Sequence, residues 1–467
     1  MSPAHPDLAK LNERVAHDLT TLNIPGSDWV RSRAAPDGTR VLDVVIVGGG
    51  QSGLGAAFAL LREGVRHIQL LDENPEGQEG PWVTYARMIT LRTPKHLTAI
   101  DGGIPSLTFR AFWEAQHGPQ GWAALDKIPR GDWMEYLRWF RAVLDLPVRN
   151  SARVTAVEPA GPELFRVSVA GDDTPLFARK VVFATGIQGG GEWHVPAFVQ
   201  DAVDPSFYAH TSQAVDFDRL KGKRVAILGG GASAFDNAQH ALAAGVGEVH
   251  VFIRRNALPR VNPIRQMEQS GMIRHYAGLD DAAKYAVLHH FLTLNQPPTN
   301  DTFERASAYP GFRLHLGAPW LGARQDGDQI WVETPKGETR FDFLILSTGL
   351  LTDHALRPEL AAMADDIATW ADCYAALKPN ALIDRHPYLG AGFQFTAKTP
   401  EAADRLHGLF NFNYAALASL GLSASAISGL KAALPKLAAG VAGQLFADDS
   451  TALLGDYFSY AEEEFKF

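Results

Sequence analysis

Three glycines, Gly48, Gly50 and Gly53, stand in GxGxxG spacing within VLDVVIVGGGQSGLG, residues 41–55. That spacing suits a pyrophosphate. The first glycine makes a tight turn, the second admits phosphates to the backbone, and the third lets a helix pack close. Asp72, about 20 residues beyond, is placed for a ribose hydroxyl, and Glu73 adjoins it. The pattern repeats in KGKRVAILGGGASAFDNAQHAL, with Gly229, Gly231 and Ala234 as GxGxxA. Here the following strand, EVHVFI, ends in Arg254 and Arg255 instead of an acid. Arginine favours a 2′-phosphate through charge-assisted, often bidentate hydrogen bonds, so the second site predicts NADP(H).

Nucleophilic and metal chemistry have no comparable signature. No Ser–His–Asp set stands out. His289 and His290 are adjacent, without the i,i+4 spacing of helical metal ligands, so no metal is expected. Cys373 is the single cysteine, which excludes an internal disulfide, a CxxC pair and a thiolate cluster. The candidates for substrate or oxygen contacts are Asn262 and Arg265 in PRVNPIR, and Asn411 with Asn413 in LFNFNY; His210 in DPSFYAHTSQA is a further catalytic candidate, read as a linker histidine that couples the two domains or as a hydrogen-bonded structural one.

Each glycine turn needs a strand before it and a helix after it. VLDVVIV is a branched apolar run suited to a strand buried on both faces, and AAFALLREG has helical periodicity. The same order recurs at Lys221. Two further apolar strands, RKVVFATG and FDFLILSTG, close on Thr185-Gly186 and Thr348-Gly349, small turns that let the chain pass close to a bound cofactor. After Asp72 comes a long irregular stretch rich in Gly, Pro and aromatics. Such a loop is usually functional. Its candidates are Trp82, Tyr85, Arg87, Arg92 and Lys95, of which Trp82 and Arg92 are assigned to cofactor binding. WMEYLRWFRAVL reads as a helix with an aromatic core face. ARVTAVEP and ELFRVSVAG read as a hairpin, and the insertion 259–316 as a helical roof over the site.

The 467 residues allow two or three domains. We place an N-terminal arm at 1–39, a first dinucleotide-binding unit at 40–205, a second at 206–340, and the return of the first with C-terminal helices at 341–467. Charged residues near 20% and apolar residues near 46% describe an ordinary globular chain. A net charge of −9 without a basic run argues against nucleic acid as a partner. The N-terminus lacks the apolar segment of a signal peptide. With one cysteine, this predicts a reducing cytoplasm. Residues 427–446 are apolar enough to imitate a membrane span, but Lys431, Pro435 and Lys436 favour a pair of packed helices. The tail GDYFSYAEEEFKF alternates aromatics with acids, a pattern that suits a homodimer contact or an ordinary packed end.

GGGQSG with Asp72, FATG, GKRVAILGGGASAFD, FIRR and FDFLILSTG, in that order, resemble the flavoprotein monooxygenases with two dinucleotide-binding domains: the flavin-containing, N-hydroxylating and Baeyer–Villiger types. The resemblance implies an α/β fold of two Rossmann-like domains, the NADPH domain inserted in the FAD domain. It implies FAD on the first fingerprint and NADPH on the second, with O2 and a small organic molecule as co-substrates. One oxygen atom would be inserted through a C4a-(hydro)peroxyflavin, at nitrogen or sulfur. The alternatives are Baeyer–Villiger oxygenation and a reductase without oxygen insertion, since reductases share the architecture. Around His210 the Baeyer–Villiger pattern FxGxxxH with a later aromatic is not met. Asp204 replaces the aromatic, Ser206 the glycine and Ala214 the final aromatic.

Overall fold

The computed structural model describes residues 6–35, 38–97, 99–424 and 426–465. Its first sheet is built from β1 (Leu42–Val47), β2 (Ile68–Leu71), β3 (Val148–Arg149), β4 (Val154–Gly161), β5 (Leu164–Val169) and β6 (Leu176–Phe183), in the order β3-β2-β1-β6-β5-β4. The β1, β2, β3 and β6 pairings are parallel, while β4–β5 is the expected antiparallel hairpin and β5 runs antiparallel to β6. β1 is buried over almost its whole length, as a strand covered on both faces must be.

β7 (Gly191–Trp193) leaves this unit and β8 (Tyr208–His210) enters the next. The second sheet adds β9 (Arg224–Leu228), β10 (Glu248–Ile253) and β11 (Phe312–Leu316). An antiparallel meander of β12 (Gly322–Asp326), β13 (Gln329–Thr334) and β14 (Gly337–Phe341) follows. β15 (Phe343–Leu346) then returns to the second sheet, whose order β11-β10-β9-β15-β8 is parallel throughout. The boundary placed at 341 therefore falls one strand early, because β15 pairs with β9 and β8. β16 (Leu350–Thr352) pairs antiparallel with β7, so the outgoing and returning connections form one two-stranded ribbon. β17 (Leu409–Asn411) rejoins the first sheet against β6.

The helices that matter for the site are α1 (Pro6–Thr21), α2 (Gln51–Arg62), α3 (Phe109–Ala124), α4 (Arg130–Val143), α5 (Ala232–Ala243), α6 (Asp281–Leu294), α7 (Asn300–Ser307) and α8 (Ile427–Ser459). Helix α1 of the arm lies on the body, where Trp139 Nε1 donates to Asn12 at 2.8 Å. The aromatic face of α4 is core, with Trp133, Tyr136 and Phe140 buried against Phe109 and Phe58.

The expected helix pair after Ile427 is a single helix that continues through Pro435. A proline inside a helix costs about 3 kcal/mol. Leu434, Leu437, Ala438 and Val441 are buried on the body, and burial contributes about 1.5–3 kcal/mol for each large apolar side chain, enough to offset the break. No helix of the described residues is long and apolar enough to cross a membrane.

Two fully buried cations at the start of the apolar half of β6 tie the termini together. Arg179 meets Asp449 of α8 at 2.7 Å, and Lys180 meets Asp448 at 2.7 Å. Arg33 of the arm reaches the same Asp449 at 2.9 Å.

Candidate cofactor cleft and functional site

Register brings the two glycine turns to equivalent places. In the first sheet Val47 is level with Leu71 and Phe183, so the turn after β1 sits beside Asp72 and the Ala184–Gly186 turn. In the second, Leu228 is level with Phe252 and Leu346, so the turn after β9 sits beside Ile253-Arg254 and Ser347-Thr348-Gly349. The contacts are closest at the first glycine of each set. Gly48 has φ +108°, and a Cβ there would lie 2.5 Å from Ala184 O. Gly229 has φ +127°, and a Cβ there would lie 2.3 Å from Ser347 O. Both positions therefore require glycine, and both press on the Thr-Gly strand ends.

Gly50 differs from them. A Cβ there would meet only Gly80, at 3.8 Å, so open space lies in front of the second glycine. Gly231 has nothing within 4 Å. Gly50 and Gly231 are the N-caps of α2 and α5, and neither helix start has a side-chain cap. Uncapped amides facing an open cradle suit a pyrophosphate at each helix end. A Cβ on Gly53 would lie 1.9 Å from Gly48 O, and Ala234 is fully buried. Neither lines the cleft, so the third fingerprint position packs the helix on its turn.

A cleft of about 1610 Å3 runs between the units. It is lined by Gly48, Gly50, Asp72, Glu73, Trp82, Arg92, Thr185 and Gly186 of the first unit. From the second come Gly229, Gly231, Arg254, Arg255, Thr348 and Gly349. Asp72 is mostly engaged by the loop itself: Gly49 N–H donates to it at 2.7 Å and Asn74 N–H at 2.8 Å. Glu73 accepts from Gln188 at 3.2 Å and is more open. The arginine pair splits. Arg255 donates to the Thr293 and Leu294 carbonyls at the end of α6, whereas Arg254 is exposed and has no ion-pair partner among the described residues.

Trp82 stands edge-on to Trp133, whose Nε1 donates to Gln51 Oε1 at 3.2 Å. The loop is thereby locked to the first residue of α2. Arg92 is paired with the buried carboxylate of Asp236 on α5. Leu422, Ala426, Ile427 and Ser428, at the N-terminus of α8, close the cleft from the far side. Ser52 Oγ donates to Ala424 O at 2.6 Å, so the starts of α2 and α8 meet. The α8 start carries no signal as local as a glycine fingerprint; only the small-residue run GLSASAISG marks it.

The remaining candidates separate. His210 lies at the cleft wall on β8, stacked on Trp193 of the ribbon at 4.8 Å. Its Nδ1 accepts from Ser212 N–H at 3.2 Å, so the proton sits on Nε2, which has no partner within hydrogen-bonding geometry. Burial pushes its pKa down to about 4, so the ring is neutral at working pH. Asn262 and Arg265 do line the cleft, but Asn262 accepts from Ile264 N–H and Arg265 pairs with Glu268. Asn411 is a buried β17 residue outside the cleft lining, and Asn413 braces Thr185 and Gly189. β17 holds Asn411 against β6, and Asn413 caps the turn that follows it.

His289 and His290 are exposed on α6. Among the described residues one group with metal-ligand geometry, Asp28, Asp43 and His67, lies away from the cleft, and the Arg40 guanidinium sits against His67. Cys373 is exposed and outside the cleft.

Residues 45–270 match the family described as pyridine nucleotide-disulphide oxidoreductase. The chain is similar to ornithine hydroxylase from Pseudomonas aeruginosa, with TM-score 0.69 and 18% identity over 87% of this chain and 100% of that one. It is similar also to L-lysine 6-monooxygenase from Pseudomonas syringae, with TM-score 0.67 and 16% identity over 86% and 99%. At such identities the likeness is one of fold. Sequence similarity reaches further: the chain is 59% identical to the FAD-dependent urate hydroxylase of Xanthomonas campestris pv. campestris, over 98% of this chain and 97% of that one. With two uncapped helix starts facing one cleft and a relative of that identity along its whole length, the chain belongs to the flavin-dependent monooxygenase family, as an FAD- and NADPH-dependent enzyme that inserts oxygen.

Proposed function

We propose that the substrate is urate or a closely related oxidised purine, oxygenated on its nitrogen-rich ring. The observation that carries this reading is the 59% identity over 98% of the chain to a urate hydroxylase. Such a ring is an electron-rich nucleophile and, at neutral pH, an anion. The cleft offers a cation for it. Arg87 lines the cleft, donates only to the Thr84 and Gln213 carbonyls, and leaves a buried Nε without a partner. Burial, and then the neighbouring Arg130, lower its proton affinity, the mark of a guanidinium short of negative charge. An arginine stays protonated regardless, so the deficit favours an anionic ligand.

FAD, reduced by NADPH, supplies the activation of dioxygen. The chain's own residues bind, orient and exclude water. In this reading Gly48, Gly50, Asp72, Glu73, Trp82, Thr185 and Gly186 hold FAD, together with the α8 start. Gly229, Gly231, Arg254, Thr348 and Gly349 hold NADPH. Gly53, Ala234 and Arg255 act through packing. Units 40–205 with 347–467, and 206–346, carry the two cofactors. The lone exposed thiol argues against a dithiol reductase, and the residues around His210 argue against the Baeyer–Villiger type. We assign the enzyme to the cytoplasm. We also assign the exposed aromatic end, Tyr457, Phe458 and Tyr460, to contact with a second copy.

The test uses purified holoenzyme, NADPH, urate and 18O2. Urate should accelerate NADPH oxidation and gain one 18O atom per NADPH consumed. If urate neither speeds NADPH oxidation nor is consumed, the assignment is wrong, and oxidation of ornithine or lysine under the same conditions would move it to an amine.

A further inference from the structure

The two units meet along a charged seam that neither glycine fingerprint explains. The first unit contributes Arg92, from the loop after β2, and Lys127, between α3 and α4. The second contributes Asp236 on α5 and Asp301 on α7. Arg92 pairs with Asp236, Lys127 reaches Asp301 at 3.1 Å, and Arg305 holds Asp301 at 2.8 Å from its own helix. Asp236 is buried, with 6% of its side chain exposed. Burial pushes its pKa up and Arg92 opposes that, so its charge depends on a residue of the other unit. A third link runs from the roof, where Arg265 donates to Arg92 O at 3.0 Å.

The position of these residues carries the inference. Asp236 lies in the second turn of α5, the helix whose first turn faces the cleft behind Gly229–Gly231. Arg92 lies on the loop that carries Gly80 and Trp82 to the other glycine turn. Elsewhere the units are joined by the β7–β16 ribbon and by an apolar contact in which Tyr285 and Leu288 of α6 pack with Trp370, Ile383 and Leu417 of the first unit. We propose that the Arg92–Asp236 and Lys127–Asp301 pairs are positioning residues. On the cleft side opposite that apolar contact they hold α5 and the NADPH unit in one orientation to the loop after β2, and so set the nicotinamide against the flavin. Near-attack geometry tolerates little error, and a displacement of about 1 Å costs on the order of 100-fold in rate.

The experiment compares FAD-loaded wild type with Asp236→Asn and Lys127→Ala. Flavin reduction by NADPH is followed anaerobically in stopped flow, alongside NADP⁺ affinity and hydrogen exchange. Asp236→Asn should slow reduction roughly 10- to 100-fold and leave FAD content full and NADP⁺ affinity within about threefold. Exchange should rise in residues 88–92 and 232–240 together. Lys127→Ala, half-exposed and outside the cleft lining, should slow reduction in the same direction by a smaller factor. It decides the matter if Asp236→Asn does not fold. Reduction within twofold of wild type in a folded, flavin-replete variant would overturn the proposal. So would a rate loss fully matched by lost NADP⁺ affinity, or unchanged exchange on both sides of the seam.

Discussion

Replacing Gly50 with valine should remove FAD while leaving a folded protein, and replacing Gly53 with alanine should do the reverse. At Gly50 a Cβ meets nothing closer than Gly80 at 3.8 Å, and φ is −74°, so the apoprotein accommodates a side chain. The remaining cost is that of a valine at a helix N-cap, about 1 kcal/mol. In the loaded protein the same side chain occupies the space the phosphates need. The variant thus forfeits the stabilisation that bound FAD gives, which at 100 to 1,000 times Kd is about 2.7–4.1 kcal/mol. At Gly53 the added Cβ would lie 1.9 Å from Gly48 O. Both atoms belong to backbone, so relief requires the helix to move off the turn. Overpacking typically costs about 1–3 kcal/mol, and a backbone clash belongs at or above the upper end. The assay is flavin absorbance per protein, with urea midpoints of both FAD-loaded and stripped protein. Stripped Gly50→Val should unfold close to stripped wild type, and stripped Gly53→Ala well below it. Full flavin retention by Gly50→Val, or the opposite order of stripped stabilities, would refute the division of labour between these glycines.

Arg254→Ala should weaken NADPH binding by about 1–3 kcal/mol, the range for hydrogen bonds to charged groups, and leave NADH nearly untouched; equal losses for the two nucleotides on titration would remove it from the 2′-phosphate. Arg255→Ala should cost less discrimination, because its donors are committed to the α6 carbonyls. His210, His250 and His386 are buried with pKa values pushed down to about 4 by burial. Their neutral forms favour the fold fully above pH 6.5, and that contribution is lost as pH falls from there towards 4, so stability should drop by a few kcal/mol (order of magnitude) between pH 7 and pH 4.5. Urea midpoints across that range check the slope, and a midpoint that rises on acidification would contradict it.

The sequence exposed the fold where local rules and tertiary structure agree. Each fingerprint places strand, turn and helix within one short window, and the strand-end Thr-Gly pairs are just as local. Arg254 and Arg255 look equivalent in the sequence, yet only the fold shows that one is committed to α6. Asp236 stands in plain view inside GGGASAFD, but its partner is 144 positions away. The start of α8 is further still from α2, with 372 positions between Ser52 and Ala424. Pro435 reads as a break because propensity counts only the helix, whereas burial against the body decides the outcome. Asn411 and Asn413 look like ligands of a substrate because polar residues in an apolar run invite that reading; their bonds and burial within the fold were invisible to it.

The meeting of Ser52 with Ala424, and of Arg33, Arg179 and Asp449, has a consequence for how the enzyme is made. A ribosome delivers the first glycine turn long before the α8 start, 372 positions separating Ser52 from Ala424. Until then the flavin cradle lacks one wall, and Arg179 and Lys180 of β6 lack their carboxylates. FAD loading is therefore expected to follow the synthesis of α8. A nascent chain without α8 would present two buried-type cations to solvent and a half-built cradle, with the first sheet waiting on a helix made hundreds of residues after its first strand.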